Sequence, residues 1–267
     1  MTDTWFDSFD AQEQPQYLRD YLARAAASSD IARVRATGLA RWNLGDGEQR
    51  LLDAGCGNGE VARDLAAMLP KAEVTAVDFS ADAIAEATRL DHDGRVTYAT
   101  ADVCDLPFDQ DHFDGVRTER VLQHLKDPDR AVAELTRVLR PGGRMCLIDT
   151  DFESLAVDGS PPGFNDAVRA MNALVGTRRS PEAIASGRIL RRRMVQAGLT
   201  DVRAEPVVIV HTDLAEASQL LPLQRDNPLL RSVGDFDTMF DALEAAVADG
   251  TFLITFTMWV VVGTKPR

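Results

Sequence analysis

At 267 residues with 45% hydrophobic content, the chain can bury one full α/β core and still carry helical additions around it. Its 42 acidic against 29 basic side chains, a formal charge of −13, repel a phosphate backbone and argue against nucleic acid as a partner. The three cysteines, Cys56, Cys104 and Cys146, are too few and too widely spaced for a disulfide framework or a C-x-x-C metal site. There is no basic leader, and the apolar run Phe252 to Val262 is far too short for a membrane span, so a cytoplasmic protein without membrane contact is expected.

Tyr17, Leu18, Tyr21, Leu22 and Ala25 recur at helical spacing, and a second helix is predicted over Asp30 to Trp42. From Arg50 onward short apolar runs alternate with amphipathic stretches, which is the rhythm of βαβ units. Strands are predicted at Arg50 to Asp53, Glu73 to Asp78, Val96 to Thr100, Phe113 to Arg117 and Gly143 to Asp149. Helices between them are expected over Gly59 to Leu69, Ala81 to Leu90, Arg120 to Leu125 and Pro128 to Leu139. Right-handed crossovers between parallel neighbours then give an α/β fold, a doubly wound and mostly parallel sheet with helices on both faces. The pattern breaks at Asp158-Gly159-Ser160-Pro161-Pro162-Gly163, and helices over Phe164 to Val175 and Pro181 to Ala197 follow as a candidate lid. Strands return at Val202 to Val210 and Phe252 to Val262, on either side of a helix over Asp235 to Ala248. The leucine-rich segment Leu214 to Arg231 adds to the cap.

Leu51-Leu52-Asp53-Ala54-Gly55-Cys56-Gly57-Asn58-Gly59 puts three glycines between a buried strand and a helix. Without Cβ atoms the backbone can turn sharply there and a ligand can approach the main chain. A glycine triplet alone would also suit a tight structural turn, so its neighbours matter. Asp78 ends the second strand, where a carboxylate can accept both hydroxyls of a ribose. Asp102 follows the third, where it can accept from an adenine amine while Val103 offers a backbone N–H. Each carboxylate by itself would equally suit a turn or helix cap.

Asp53-Ala54-Gly55-Cys56-Gly57-Asn58-Gly59 resembles the first motif of class I S-adenosylmethionine (SAM)-dependent methyltransferases, and Ala101 to Phe108, Phe113 to Leu125 and Leu139 to Gly143 are similar to their later motifs. The likeness covers residues 50–150 closely and the final strand loosely. It implies a seven-stranded Rossmann-like sheet with SAM as cofactor. Gly55 and Gly57 would lie against the methionine end, with Asp53 supporting the ammonium directly or through water. Asp78, with Phe79 beside it, would hold the nucleoside, and Asp102 and Val103 the adenine. A nicotinamide cofactor is the competing reading of such a fold, but the spacing here is G-x-G-x-G, not G-x-G-x-x-G. In domain terms the resemblance implies an N-terminal helical cap over 1–45, a SAM-binding core over 46–150, a lid insertion over 151–200, and C-terminal strands over 201–267 with a further cap segment at 213–233.

Methyl transfer is an in-line displacement that needs a protein base only when the acceptor must lose a proton. His124 lies near a strand end and can serve as that base, or can merely pack and cap its short helix. Some small-molecule O-methyltransferases of this family carry a functional histidine and aspartate at positions matching His124 and Asp149, and a His–Asp pair would orient the ring. Asp149 and Asp151 could equally be solvated loop entry. Glu119 and Arg120 are unusual for the motif, and Arg120 would pair with the cofactor carboxylate, an acidic substrate or a neighbouring glutamate. Arg117 and Thr118 stand where a catechol-type site would want a carboxylate, so no metal is predicted. The run Arg188, Arg191, Arg192 and Arg193 would face either an anionic acceptor or solvent. The reading is methyl transfer from SAM to a small-molecule acceptor, oxygen favoured over carbon or nitrogen, in natural-product biosynthesis. The alternatives are a cyclase built on the same fold and a non-catalytic SAM-binding or partner protein.

Overall fold

The computed structural model describes residues 24, 28–158, 164, 180, 182–221, 223–225 and 236–267. The expected helices over Tyr17 to Ala25 and Phe164 to Val175 fall almost wholly outside the described residues, as do positions 226–231 of the leucine-rich segment.

Helix α1 (Ser29–Trp42) starts at Ser28, whose hydroxyl accepts from the Asp30 N–H, and stops at Asn43 in the left-handed region with φ 50°. Its buried residues Ile31, Val34, Gly38 and Trp42 form one stripe that lies on the sheet. Then come β1 (Gln49–Ala54), α2 (Glu60–Met68), β2 (Ala72–Asp78), α3 (Ala81–Leu90), β3 (Val96–Thr100) and β4 (Phe113–Glu119). A 3₁₀ turn at Leu122–His124 leads to α4 (Pro128–Val138) and the long β5 (Leu139–Asp158). The chain closes with α5 (Ser186–Gln196), β6 (Thr200–His211), α6 (Leu214–Leu220), α7 (Phe236–Ala248) and β7 (Leu253–Thr264).

The seven strands lie in the order β3-β2-β1-β4-β5-β7-β6. The first five are parallel and β7 runs antiparallel between β5 and β6. Strand order reverses between β1 and β4, which opens a crevice at their carboxyl ends. One face of the sheet packs against α1, α2 and α7 through Leu51, Cys146, Ile148, Val34 and Leu243, and the other packs against α4 and α5 through Leu52, Val116, Leu147, Leu135 and Leu190.

Two elements differ from expectation. The predicted helix Arg120 to Leu125 is only a 3₁₀ turn, because Arg120 has φ 59° and cannot begin a right-handed helix. Strand β5 continues nine residues past Asp149. There Ala156, Val157 and Asp158 pair with Thr255, Ile254 and Leu253 of β7. Polar residues at Asp151, Glu153 and Ser154 read as a loop, but Ser154 spans the bulge by donating to Asp151 O and accepting from Thr257 N–H. Helix α5, expected within the lid segment, packs against β5, β6 and β7 with Leu190 and Met194 fully buried.

Candidate functional site

The glycine loop crosses the crevice with Gly55, Gly57 and Gly59 at φ of +77°, +54° and +74°. Packing demands the first and third glycines, since a Cβ at Gly55 would stand 2.2 Å from Val121 Cγ2 and one at Gly59 would stand 2.7 Å from the Tyr98 ring. Gly57 is different: a Cβ there would meet nothing within 4 Å. That position opens onto a cradle of bare main chain. The Gly57 N–H donates to Asp78 Oδ2 at 2.8 Å, and Asp78 Oδ1 accepts from the Ser80 N–H at 3.0 Å, so the carboxylate is aimed at the loop. Phe79 beside it is 45% exposed, although it is large and apolar. At the next strand end Asp102 Oδ1 accepts from the Cys104 N–H at 2.8 Å, and Val103 is buried.

Beneath the loop runs a chain of charges, buried at Asp53 and Arg117 and partly buried at Glu119, Arg35 and Glu60. Arg117 on β4 is the registered neighbour of Asp53 on β1, so both side chains lie on one face, and Arg117 Nη1 donates to Asp53 Oδ1 at 3.0 Å. Arg117 Nη2 donates to Glu119 Oε2 at 2.7 Å, and Glu119 also accepts from Arg35 Nε of α1 at 3.0 and 3.1 Å. Arg35 Nη1 reaches Glu60 Oε2 at 3.0 Å. Burial pushes the Asp53 carboxyl above its ordinary value, against the attraction of its single guanidinium partner. Burial acts on Glu119 in the same sense, but Arg117 and Arg35 together outweigh it and hold that carboxyl below the usual range.

The end of β4 is held in an uncommon conformation. The Arg120 N–H donates to Ile148 O at 2.7 Å, and the left-handed backbone at Arg120 turns the chain into the segment that carries His124. Asp149 on β5 is fully buried, and its Oδ2 accepts from the Gln123 N–H at 3.1 Å and from Ser186 Oγ at 2.6 Å. Gln123 Oε1 accepts from the Thr150 N–H at 3.2 Å, which fixes the amide so that its nitrogen faces His124 Nε2 at 3.1 Å.

A methyltransferase-domain family model matches residues 52–147, the span that contains the loop and its partners. An uncharacterized 37.1 kDa protein of a Streptomyces fradiae transposon is 32% identical over 249 residues, which is 91% of this chain and 70% of that one. The 27-O-demethylrifamycin SV methyltransferase of Amycolatopsis mediterranei is 33% identical over 72% of this chain and 67% of its own. The chain belongs to the class I SAM-dependent methyltransferases. Its fold matches Haemonchus contortus phosphoethanolamine N-methyltransferase 2 in complex with SAM at a TM-score of 0.57, with 20% identity over 88% of this chain and 53% of that one. Several other curated relatives are spanned over less than half of their length.

SAM is the cofactor of this methyltransferase, and the open Gly57 cradle fits a ligand lying on main chain. The structure brings Gly55, Gly57, Asp78, Phe79, Asp102 and Val103 to the carboxyl ends of β1, β2 and β3, on the crevice side. It does not bring the Asp149 carboxylate to the His124 ring: among the described residues its hydrogen-bond partners are Gln123 and Ser186. Strand β4 runs two residues beyond Arg117 and does end in a carboxylate, Glu119, but Arg117 and Arg35 occupy its oxygens. Among the described residues no group of three or more His, Cys, Asp or Glu side chains gathers to hold a metal, and no helix is long and apolar enough to cross a membrane. In the basic run, Arg188 grips Asp151 with two bonds of 2.7 Å, Arg192 pairs with Glu182, and Arg193 pairs with Asp129 and Glu182. Sequence reasoning missed the charge chain. Its signal was Arg117 and Glu119 two apart on a central strand that is otherwise buried and mostly apolar.

Burial pushes the Asp149 carboxyl up to about 7, against the opposing hydrogen bonds from Ser186 and Gln123. A folded-state value raised above the unfolded one contributes stability that is fully present below about pH 4 and is lost as pH rises through about 7. Asp149→Asn, which keeps an acceptor for Ser186 and Gln123, is therefore expected to flatten the stability profile between those limits. Thermal melts across that range check this, and parallel curves for parent and variant would count against it.

Proposed function

We propose that the chain transfers the methyl group of SAM to a small-molecule acceptor, with a hydroxyl favoured over carbon or nitrogen, in natural-product biosynthesis. The observation that carries the reading is the open main-chain cradle at Gly57, flanked by Asp78 and Asp102 at the next two strand ends. The likeness to a 27-O-demethylrifamycin SV methyltransferase supports oxygen as the acceptor atom.

When bound, SAM supplies a methyl group activated by its sulfonium. Gly55 and Gly57 take the methionine end on bare backbone, and Asp53 supports it from beneath with its charge already balanced by Arg117. Asp78 accepts from the ribose hydroxyls while its present bonds to Gly57 and Ser80 keep it oriented, and the exposed Phe79 ring covers the nucleoside. Asp102 and the Val103 N–H read the adenine edge. Arg120, just past the carboxyl end of β4, would face the cofactor carboxylate.

His124 is the proposed base. The Gln123 amide donates to Nε2, so the neutral ring carries its proton on Nδ1, and an acceptor hydroxyl replacing that amide would give up its proton at Nε2. Asp149, fully buried, acts as a positioning residue: it holds the Gln123 N–H and with it the turn that carries His124.

Incubation with methyl-labelled SAM and a panel of phenols, alcohols, amines and activated carbons tests the reading. Label transfer to a hydroxyl supports it. Calorimetric binding of S-adenosylhomocysteine (SAH) without transfer to any acceptor would favour the cyclase or non-catalytic alternatives. His124→Ala is expected to lower kcat by about 10²- to 10⁴-fold, the usual contribution of a general base, with SAH affinity unchanged. Parental turnover in that variant would eliminate His124 as the base.

A further inference from the structure

The charge chain, buried at Asp53 and Arg117 and partly buried beyond them, does more than tie a helix to a sheet, because it grips both flanks of the glycine loop. Asp53 lies two residues before Gly55 and is held by Arg117 of β4. Glu60 is the residue after Gly59 and is held by Arg35 of α1. Glu119 joins the two guanidiniums, so the ends of the loop are linked through two arginines that come from outside it. Arg117 belongs to the sheet itself, whereas Arg35 arrives on a helix that precedes β1.

Helix α1 sits close enough to make this grip exacting. A Cβ at Gly38 would stand 2.9 Å from Ile148 Cδ1, the Trp42 indole N–H donates to Arg144 O at 2.9 Å, and Arg144 Nη2 returns to Arg41 O at 2.9 Å. Apolar side chains would dock such a helix at least as well, since buried ion pairs add little net stability over good packing. What forked guanidinium–carboxylate contacts add is direction. Here that direction is imposed on the residues that begin and end the loop.

We infer that Arg35 is a positioning residue for the cofactor loop: docking of α1 presets the two ends of the loop, and cofactor seated on the loop holds α1 on the sheet in return. This rests on the loop being the SAM site. By linkage the coupling is reciprocal, so whatever α1 docking adds to cofactor affinity, the cofactor adds to docking.

The test is SAH titration by calorimetry together with amide hydrogen exchange of α1, on the full chain and on Arg35→Met, Arg35→Lys and Glu60→Gln. SAH is expected to slow exchange along α1 in the parent. Arg35→Met is expected to weaken SAH by about tenfold, within the range usual for coupled sites, and to lose most of the SAH-dependent protection of α1. Arg35→Lys, which cannot fork across two carboxylates, falls between. Glu60→Gln, whose side chain is 36% exposed, keeps the fold and shows a smaller loss in the same direction, so it decides the matter if Arg35→Met does not fold. Parental SAH affinity in Arg35→Met and Glu60→Gln, or α1 exchange that ignores SAH in the parent, overturns the inference and leaves the cofactor site standing. Failure of the parent to bind SAH removes the site and the inference together.

Discussion

Gly57→Val is expected to fold and to lose SAH binding. A side chain there meets no protein atom within 4 Å, so the core does not resist it. The backbone does, since φ of +54° suits glycine and costs an L-residue about 1–2 kcal/mol. That is a tolerable loss for a domain of this size, and a β-branched residue feels it more than alanine. The larger effect falls on the ligand, because the valine methyl groups fill the cradle that the cofactor needs. It also strains the Gly57 N–H that orients Asp78. Calorimetry should show affinity reduced by at least about a hundredfold, equivalent to about 3 kcal/mol, with Gly57→Ala intermediate. SAH bound by the folded valine variant at parental affinity would take the loop out of the site.

Arg117→Met is expected to be the most destabilising single change in the sheet. It strands Asp53 and leaves Glu119 with one guanidinium, in a place where the Arg117 and Asp53 side chains are each only 3% exposed. Removing one partner of a buried pair costs about 3–5 kcal/mol, a fall in Tm on the order of 10 °C for a chain of this length. The pH dependence gives the sign. Without Arg117 the Asp53 carboxyl, already raised by burial, rises further, so folding favours its neutral form more strongly than in the parent. The deficit should therefore shrink on acidification and be full above the raised value. Asp53→Asn on the same background should recover part of the loss. Melts of the parent, the single variants and the double variant at two pH values form the cycle that checks this. A pH-independent deficit would mean that lost packing, and not the stranded carboxylate, is responsible.

Much of the fold is local in origin, and such elements were legible. Ser80 before Ala81 and Asp127 before Pro128 cap α3 and α4 through contacts three residues apart, so sequence spacing alone locates both helix starts. The glycine loop was readable for the same reason, because three left-handed positions in five residues permit little but glycine. Strand β5 was not. Its polar second half is sustained by β7, about a hundred residues further along, and pairing at that distance leaves no mark on the local pattern. Nor was the turn at Arg120 foreseeable, since its left-handed backbone is held by Ile148 on the neighbouring strand.

The amino-acid order by itself determined the parallel βαβ rhythm, the loop and the acidic strand ends, because each depends on residues that are neighbours along the chain. Only the tertiary structure decided that Arg117 faces Asp53, that Arg35 crosses from α1 to grip Glu119 and Glu60, and that Asp149 is buried against Ser186 with its bond to Gln123 rather than to the His124 ring. Those partners lie from 25 to 84 residues apart. Which charge neutralises which is set by strand register and helix docking, and these exist only once the sheet has formed.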